Sequence, residues 1–214
     1  MPLRLVETIP FGHLTIAYDS SVLTPRPWTV RQAELAVEAA ERSPQGPVLE
    51  LFSGAGQIGL LAASQMRRPL VQVDVNPDAC AFARANAQAA ELEVDVDVRC
   101  GAPETVLGED EQFAVIIADP PWVPSDDIHR FPDDPPLAID GGADGLELVR
   151  HSLDLVRRHL VVGGHAVVQV GPDGQADVLA DAVQTVPGLV RVAEERFDRG
   201  SLVVIRRDAR PDGS

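Results

Sequence analysis

The sequence predicts an α/β domain built on a mostly parallel sheet with helices on both faces. Three observations predict it. Short apolar runs bounded by turn formers, such as residues 48–52 (VLELF) and 113–118 (FAVIIA), read as strands buried on both faces. These runs alternate with segments of helical apolar spacing. Only the last two strand-like runs are joined by a tight turn, Asp198-Arg199-Gly200, so only the end of the sheet should be antiparallel.

Residues 3–18 alternate in polarity around Pro10-Phe11-Gly12, which predicts a small β-hairpin ahead of the main domain. Residues 21–29 (SVLTPRPWT) are rich in turn formers and read as an irregular, ordered segment, so 1–29 is a hairpin with a lead-in. The main domain is expected over 30–208. It opens with a helix over 30–42, apolar at Ala33, Leu35, Ala36, Val37, Ala39 and Ala40, which Pro44, Gly46 and Pro47 end. Seven strands are expected at 48–52, 70–75, 94–100, 113–118, 165–170, 190–197 and 201–207. Further helices are expected at 57–67, from Pro77 to about residue 90, at 144–159 and at 175–186, with proline suited to a first helical position. Gly163-Gly164 is read as the cap of the 144–159 helix. Residues 123–143 show no helix or strand pattern, and a stretch of that length reads as an acidic substrate lid. The tail 209–214 is expected to fray.

The chain has 214 residues, enough for one domain with a real core. Its 33 acidic residues face 18 basic ones, all arginine, for a net charge of −15. That charge disfavours a nucleic-acid duplex as partner, because phosphate neutralisation dominates such affinity. Cys80 and Cys100 make neither a disulfide framework nor a metal spacing, and no metal is expected. No apolar run reaches membrane length and no apolar leader opens the chain, so a cytoplasmic protein without membrane contact is expected.

The chemistry is expected where residues 113–118 run into Asp119-Pro120-Pro121-Trp122. Parallel sheets bind ligands at the carboxyl ends of their strands. Two prolines stiffen the turn and fix its carbonyl directions. An acidic acceptor, exposed carbonyls and a flat ring are thus gathered to hold a planar amino or amide group. A second feature is Glu50-Leu51-Phe52-Ser53-Gly54-Ala55-Gly56, which closes a strand and opens a helix. Its glycines let backbone approach a ligand, and the helix start adds a positive dipole end. Glu50 suits an amino-acid ammonium better than a phosphate. Asp74 ends the next strand roughly 20 residues on, where an acidic residue grips ribose hydroxyls. A ligand with a ribose and an amino-acid tail but no phosphate fits these residues, and S-adenosylmethionine is such a ligand. A nicotinamide dinucleotide is the competing reading, since Gly59 lies three beyond Gly56.

ELFSGAG, VDVNPDACAFARANA and DPPW, in this order, resemble a class I S-adenosylmethionine-dependent methyltransferase. VLTPRPWT, PPLAIDGGADGLELVRHSL and VVGGHAVVQVG are similar to segments of the HemK/PrmC family, which methylates a glutamine amide of peptide release factors. The similarity runs from about His13 to the final hairpin. It implies a Rossmann-like fold, cofactor contacts from Glu50, Phe52, Gly54, Gly56, Asp74, Val75, Asn76, Gly101, Ala102 and Asp119, and catalysis at Asp119, Pro120, Pro121 and Trp122. By family position alone, Arg26 and Trp28 would border the cofactor. Three departures stand out. The bacterial enzymes carry an N-terminal helical domain where only a hairpin is expected here. Their Asn and Tyr are Asp119 and Trp122. Their acidic residue after the third strand is replaced by Cys100-Gly101-Ala102-Pro103, which leaves backbone to contact adenine.

A planar nitrogen is a poor nucleophile because its lone pair is delocalised. Acceptance of its two N–H groups by the Asp119 carboxylate and the Pro120 carbonyl would aim that lone pair at the methyl group, with Trp122 stacked on the planar group. A carboxylate only accepts hydrogen bonds, whereas asparagine also donates, so the acceptor stays open at this stage. A protein glutamine follows from the whole-chain similarity, an adenine amino group from Asp119, and a small metabolite from the acidic lid. A fourth reading is a binding module without activity. His129 in the lid is a weaker candidate base.

Overall fold

The computed structural model describes residues 5–172 and 174–209. Strands β1 (Glu7–Phe11) and β2 (Leu14–Tyr18) make an antiparallel hairpin. After a 3-10 turn over Pro27–Thr29 come α1 (Val30–Arg42), β3 (Val48–Leu51), α2 (Gln57–Met66), β4 (Leu70–Asp74), α3 (Pro77–Ala90), β5 (Val96–Cys100), the single turn α4 (Pro103–Val106) and β6 (Phe113–Ala118). Beyond the lid and its short α5 (Pro136–Ile139) follow α6 (Glu147–His159), β7 (Leu160–Val170), α7 (Gln175–Thr185), β8 (Leu189–Phe197) and β9 (Gly200–Arg207).

The sheet order is β5-β4-β3-β6-β7-β9-β8; β9 is antiparallel to both neighbours and the other pairings are parallel. Alternate residues of each central strand feed opposite cores. Leu49, Leu51 and Ile116 meet Val149, Leu153, Leu179 and Val183 of α6 and α7. Val48, Val115 and Ile117 meet α1 and α2 together with Phe11 and Ile16 of the hairpin. Strands are added outward from β3 through β4 and β5 and then, from β6, on its other side, so the crevice at the carboxyl ends of β3 and β6 is the topological switch point.

The hairpin is stapled to this frame by Asn86 of α3, which is 2% exposed. Its Oδ1 accepts from Ala17 N at 2.8 Å, and its Nδ2 donates to the carbonyls of Ala17 and Ala55, each at 2.9 Å.

Several boundaries differ from expectation. The hairpin turn centres on Gly12 and His13. Residues 3 and 4 of the expected hairpin and 210–214 of the expected tail lie outside the described residues. The strand expected from 94 begins at Val96, where pairing with Leu70 starts. The helix expected from 144 begins at Glu147, because Asp144 instead accepts from Leu146 N at 3.0 Å and Gly145 takes φ +72°. Gly163 and Gly164 cap no helix: α6 runs directly into β7, and the glycines lie where the β6–β7 register shifts. A Cβ on Gly164 would come within 2.8 Å of Ala114 O, so that close approach needs glycine. The lid is not structureless: Ser125–Arg130 forms a 3-10 helix and Val123 bridges Asp140.

Candidate functional site

The carboxyl ends of β5, β4, β3 and β6 lie in register side by side, with Asp74 opposite Cys100, Leu51 opposite Val73, and Leu51 opposite Ala118. This brings the glycine turn, Asp74 and Asp119 to one edge.

The turn after β3 is held from both sides. Asp74 Oδ2 accepts from Gly54 N and Oδ1 from Asn76 N, each at 2.8 Å. Burial pushes the Asp74 carboxyl up, and these backbone N–H groups oppose the rise. Phe52 adopts φ +58° and so takes a left-handed position usually left to glycine. Gly54 (φ +53°) faces open space, with nothing within 4 Å of where a Cβ would stand. Ser53 Oγ and Gln57 Oε1, beside it, are buried and without a hydrogen-bond partner among the described residues. Asn76 caps α3 by accepting from Asp78 N at 3.0 Å and donates to Ser21 O, tying the lead-in segment to the end of β4. Val75 is half-exposed, and Gly101 N donates to Asp74 O at 2.9 Å, with the exposed Ala102 following.

Glu50, expected to face an ammonium group, is turned inward and is 2% exposed. Its carboxylate accepts from Gly59 N at 2.9 Å and from Gln72 Nε2 at 2.6 Å. A Cβ on Gly59 would strike Glu50 Oε2, which explains the third glycine as room for this carboxylate rather than a dinucleotide signature. Burial pushes the Glu50 carboxyl up to about 8, against those two hydrogen bonds, and nearby Asp119 and Asp74 raise it further.

Asp119 stands at the floor of a cavity of about 550 Å³ shared with Pro120, Pro121 and Trp122. Among the described residues its carboxylate has no hydrogen-bond partner, and burial pushes it up to about 7. Gln32 of α1, fully buried, donates to Ala118 O at 2.9 Å and so holds the strand end below Asp119. Trp122 lies against Gly171, where a Cβ would come within 2.4 Å of the indole. Its carbonyl accepts from Gln175 Nε2 at 3.0 Å. Gly141 N donates to Val123 O at 2.8 Å and Ser125 Oγ to Asp140 Oδ1 at 2.7 Å, closing the base of the lid against this turn. His129 is exposed in the lid and does not line the cavity.

Arg26 and Trp28 line this same cavity with Asp119, rather than the glycine turn. Arg26 pairs with Asp134 of the lid through two bonds of 2.7 and 2.8 Å. Arg199 lies over the Trp28 ring at 4.9 Å. Sequence reasoning missed Gln32, Gln169, Asp198 and Arg199. The turn signal at 198–200 was the available clue to the last two, but it marks a hairpin and not where the hairpin lands.

Residues 14–132 match the family described as Conserved hypothetical protein 95. The chain belongs to this family. Similar curated proteins are the release factor glutamine methyltransferases of Clostridium acetobutylicum and Deinococcus radiodurans. The first is 30% identical over 186 residues, covering 83% of this chain and 65% of that protein. The second is 29% identical over 213 residues, covering 97% and 75%. The chain thus spans just under two thirds of the Clostridium relative and three quarters of the Deinococcus one. Two solved structures share the fold: a ribosomal protein L11 methylase from Lactobacillus delbrueckii subsp. bulgaricus (TM-score 0.64, 16% identity, 87% of this chain and 83% of that one), and an RNA methyltransferase from Salinibacter ruber in complex with S-adenosyl-L-homocysteine (TM-score 0.57, 18% identity, 90% and 98%). The fold is therefore the Rossmann-like class I methyltransferase fold.

Proposed function

We propose that this chain is an S-adenosylmethionine-dependent N-methyltransferase acting on the side-chain amide of a protein glutamine, as found in peptide release factors. The observation that carries the reading is Asp119, a carboxylate without a partner among the described residues, at the floor of a cavity one strand away from the glycine turn. The names of the two curated relatives support the glutamine.

The residues at the turn fit the cofactor. Open space over Gly54 leaves room for backbone contact, and the unpartnered Ser53 Oγ and Gln57 Oε1 suit a ligand rich in hydroxyl and ammonium groups. Phe52–Gly56, Asp74–Asn76 and Gly101-Ala102 would hold it, with Asp74 at the ribose. Glu50 serves the same site from below, anchoring α2 and Gln72 beneath the turn. Bound there, S-adenosylmethionine supplies an electrophilic methyl group on sulfur.

In the acceptor cavity, the Asp119 carboxylate accepts one N–H of the acceptor and the Pro120 carbonyl accepts the other. Both concentrate the nitrogen lone pair toward the β3 turn and stabilise the positive charge that develops on nitrogen. Trp122 covers the flat face of the amide. With its carboxyl held near 7, Asp119 can also take up the proton that the methylated nitrogen sheds.

A second reading, an adenine amino group, draws on the carboxylate at 119 and on Arg26 and Arg199 at the cavity mouth. The net charge of −15 disfavours it. Transfer of label from S-adenosylmethionine to purified release factor, to RNA fragments and to a small-molecule extract decides between them. Label on the release factor is expected; label on RNA or small molecules alone would refute the glutamine reading.

A further inference from the structure

A primary amide presents N–H donors and a carbonyl acceptor on neighbouring atoms, so a site that selects it needs an acceptor and a donor side by side. Asp119 supplies only the acceptor. The donor lies on the next strand. β6 and β7 pair in parallel with Ala118 opposite Val168, and the register continued by one residue sets Asp119 beside Gln169. Residues level with each other on adjacent strands project to the same face, about 4.8 Å apart. Asp119 and Gln169 line the same cavity. Gln169 is 8% exposed, yet its side-chain amide makes no hydrogen bond among the described residues. Its polar atoms are open to the cavity rather than sealed in the core, so a ligand there can take their hydrogen bonds. Gln32, which donates to the carbonyls of Ala118 and Val167, fixes both strand ends just below the pair.

Building on the glutamine reading above, we infer that Gln169 orients the acceptor: its Nε2 donates to the carbonyl oxygen of the glutamine side chain while Asp119 accepts from the nitrogen. The pair divides between two residues what one asparagine amide could do alone.

The test is steady-state transfer to purified release factor by wild type, Gln169→Leu and Gln169→Glu at pH 8, with S-adenosylmethionine affinity and melting temperature measured on each. Gln169→Glu preserves the shape and replaces the donor with an acceptor and a negative charge, whereas Gln169→Leu removes the donor without adding charge. Both variants should lose roughly tenfold to a hundredfold in kcat/KM, the penalty for one hydrogen bond to a strongly polarised group, with cofactor affinity unchanged. Wild-type rates in either variant would overturn the role of Gln169 while leaving the glutamine reading intact. A wild type that labels no release factor would overturn both, and label on RNA that neither variant diminishes would assign the cavity to an amine.

Discussion

In the proposed mechanism Asp119 offsets the positive charge developing on nitrogen only when ionised, and burial pushes its carboxyl up to about 7. kcat/KM should therefore climb about tenfold per pH unit below that value and level off above it. Asp119→Asn keeps a carbonyl acceptor without a titration, so its profile should be flat over the same range. A pH–rate series with labelled S-adenosylmethionine checks both, and a wild-type profile that stays level well below pH 7 would contradict the role given to Asp119. Glu50 makes the complementary case for stability. Its folded value, about 8, lies above the ordinary 4.5 of an unfolded glutamate. The fold thus binds the proton more tightly than the unfolded chain does, so this contribution is complete below about pH 4.5 and is lost as pH rises through 8. Glu50→Gln removes the titration. Its melting temperature relative to wild type should rise steadily between pH 5 and pH 9, and a difference independent of pH would remove the argument. Both carboxylates could be singled out as candidates from the sequence, because glutamate before a glycine turn and aspartate before two prolines are local patterns. The inward turn of Glu50 was not legible. It depends on Gln72 from the neighbouring strand and on the space that Gly59 leaves in α2.

At the scale of elements, the N-terminal hairpin is tied down by a side chain reaching across the fold. Asn86 alone supplies three bonds to Ala17 and Ala55. Asn86→Ala leaves the buried groups of Ala17 and Ala55 without those partners and should cost about 2–4 kcal/mol, at 1–3 kcal/mol for each unsatisfied group offset by relaxation. Hydrogen exchange over Leu14–Tyr18 should accelerate ahead of the central strands; equal protection in the variant would show that hydrophobic packing of Phe11 and Ile16 holds the hairpin by itself. The lid contrasts with this. At its outer end Arg26 reaches Asp134, and at its base backbone bonds join Val123, Ile139 and Gly141. The strands and long helices were legible because a period of 2 or 3.6 repeats often enough within them to stand out. A single turn such as α5 has no room for a period. The bulge at Gly163 looked like a helix end because glycine marks both, and only the β6–β7 register separates the two.

For the whole molecule, the dominant fact is a charge of −15. Of the three arginines lining the Asp119 cavity, Arg26 and Arg130 are each paired with a carboxylate, and Arg199 lies on Trp28. A partner that depends on phosphate contacts would weaken by factors of 10³ or more between 50 and 200 mM salt. A polypeptide acceptor should shift its KM by less than about tenfold over that range, and a steeper dependence measured on release factor would argue against a cavity that reads an amide. The same self-repulsion predicts that added salt raises the melting temperature.

The sequence by itself determined the α/β class, the order of the strands and helices, the two loops proposed to carry chemistry and the acidity of the molecule. These depend on residues within a few positions of one another, where periodicity, turn chemistry and charge act directly. The tertiary structure decided that Glu50 faces inward, that Arg26, Trp28 and Arg199 share the cavity of Asp119, and that Gln169 stands beside that carboxylate. Each is a contact between strands or loops far apart in the chain, set by sheet register and crossover, and side-chain chemistry read along a single strand cannot specify which neighbour it will meet.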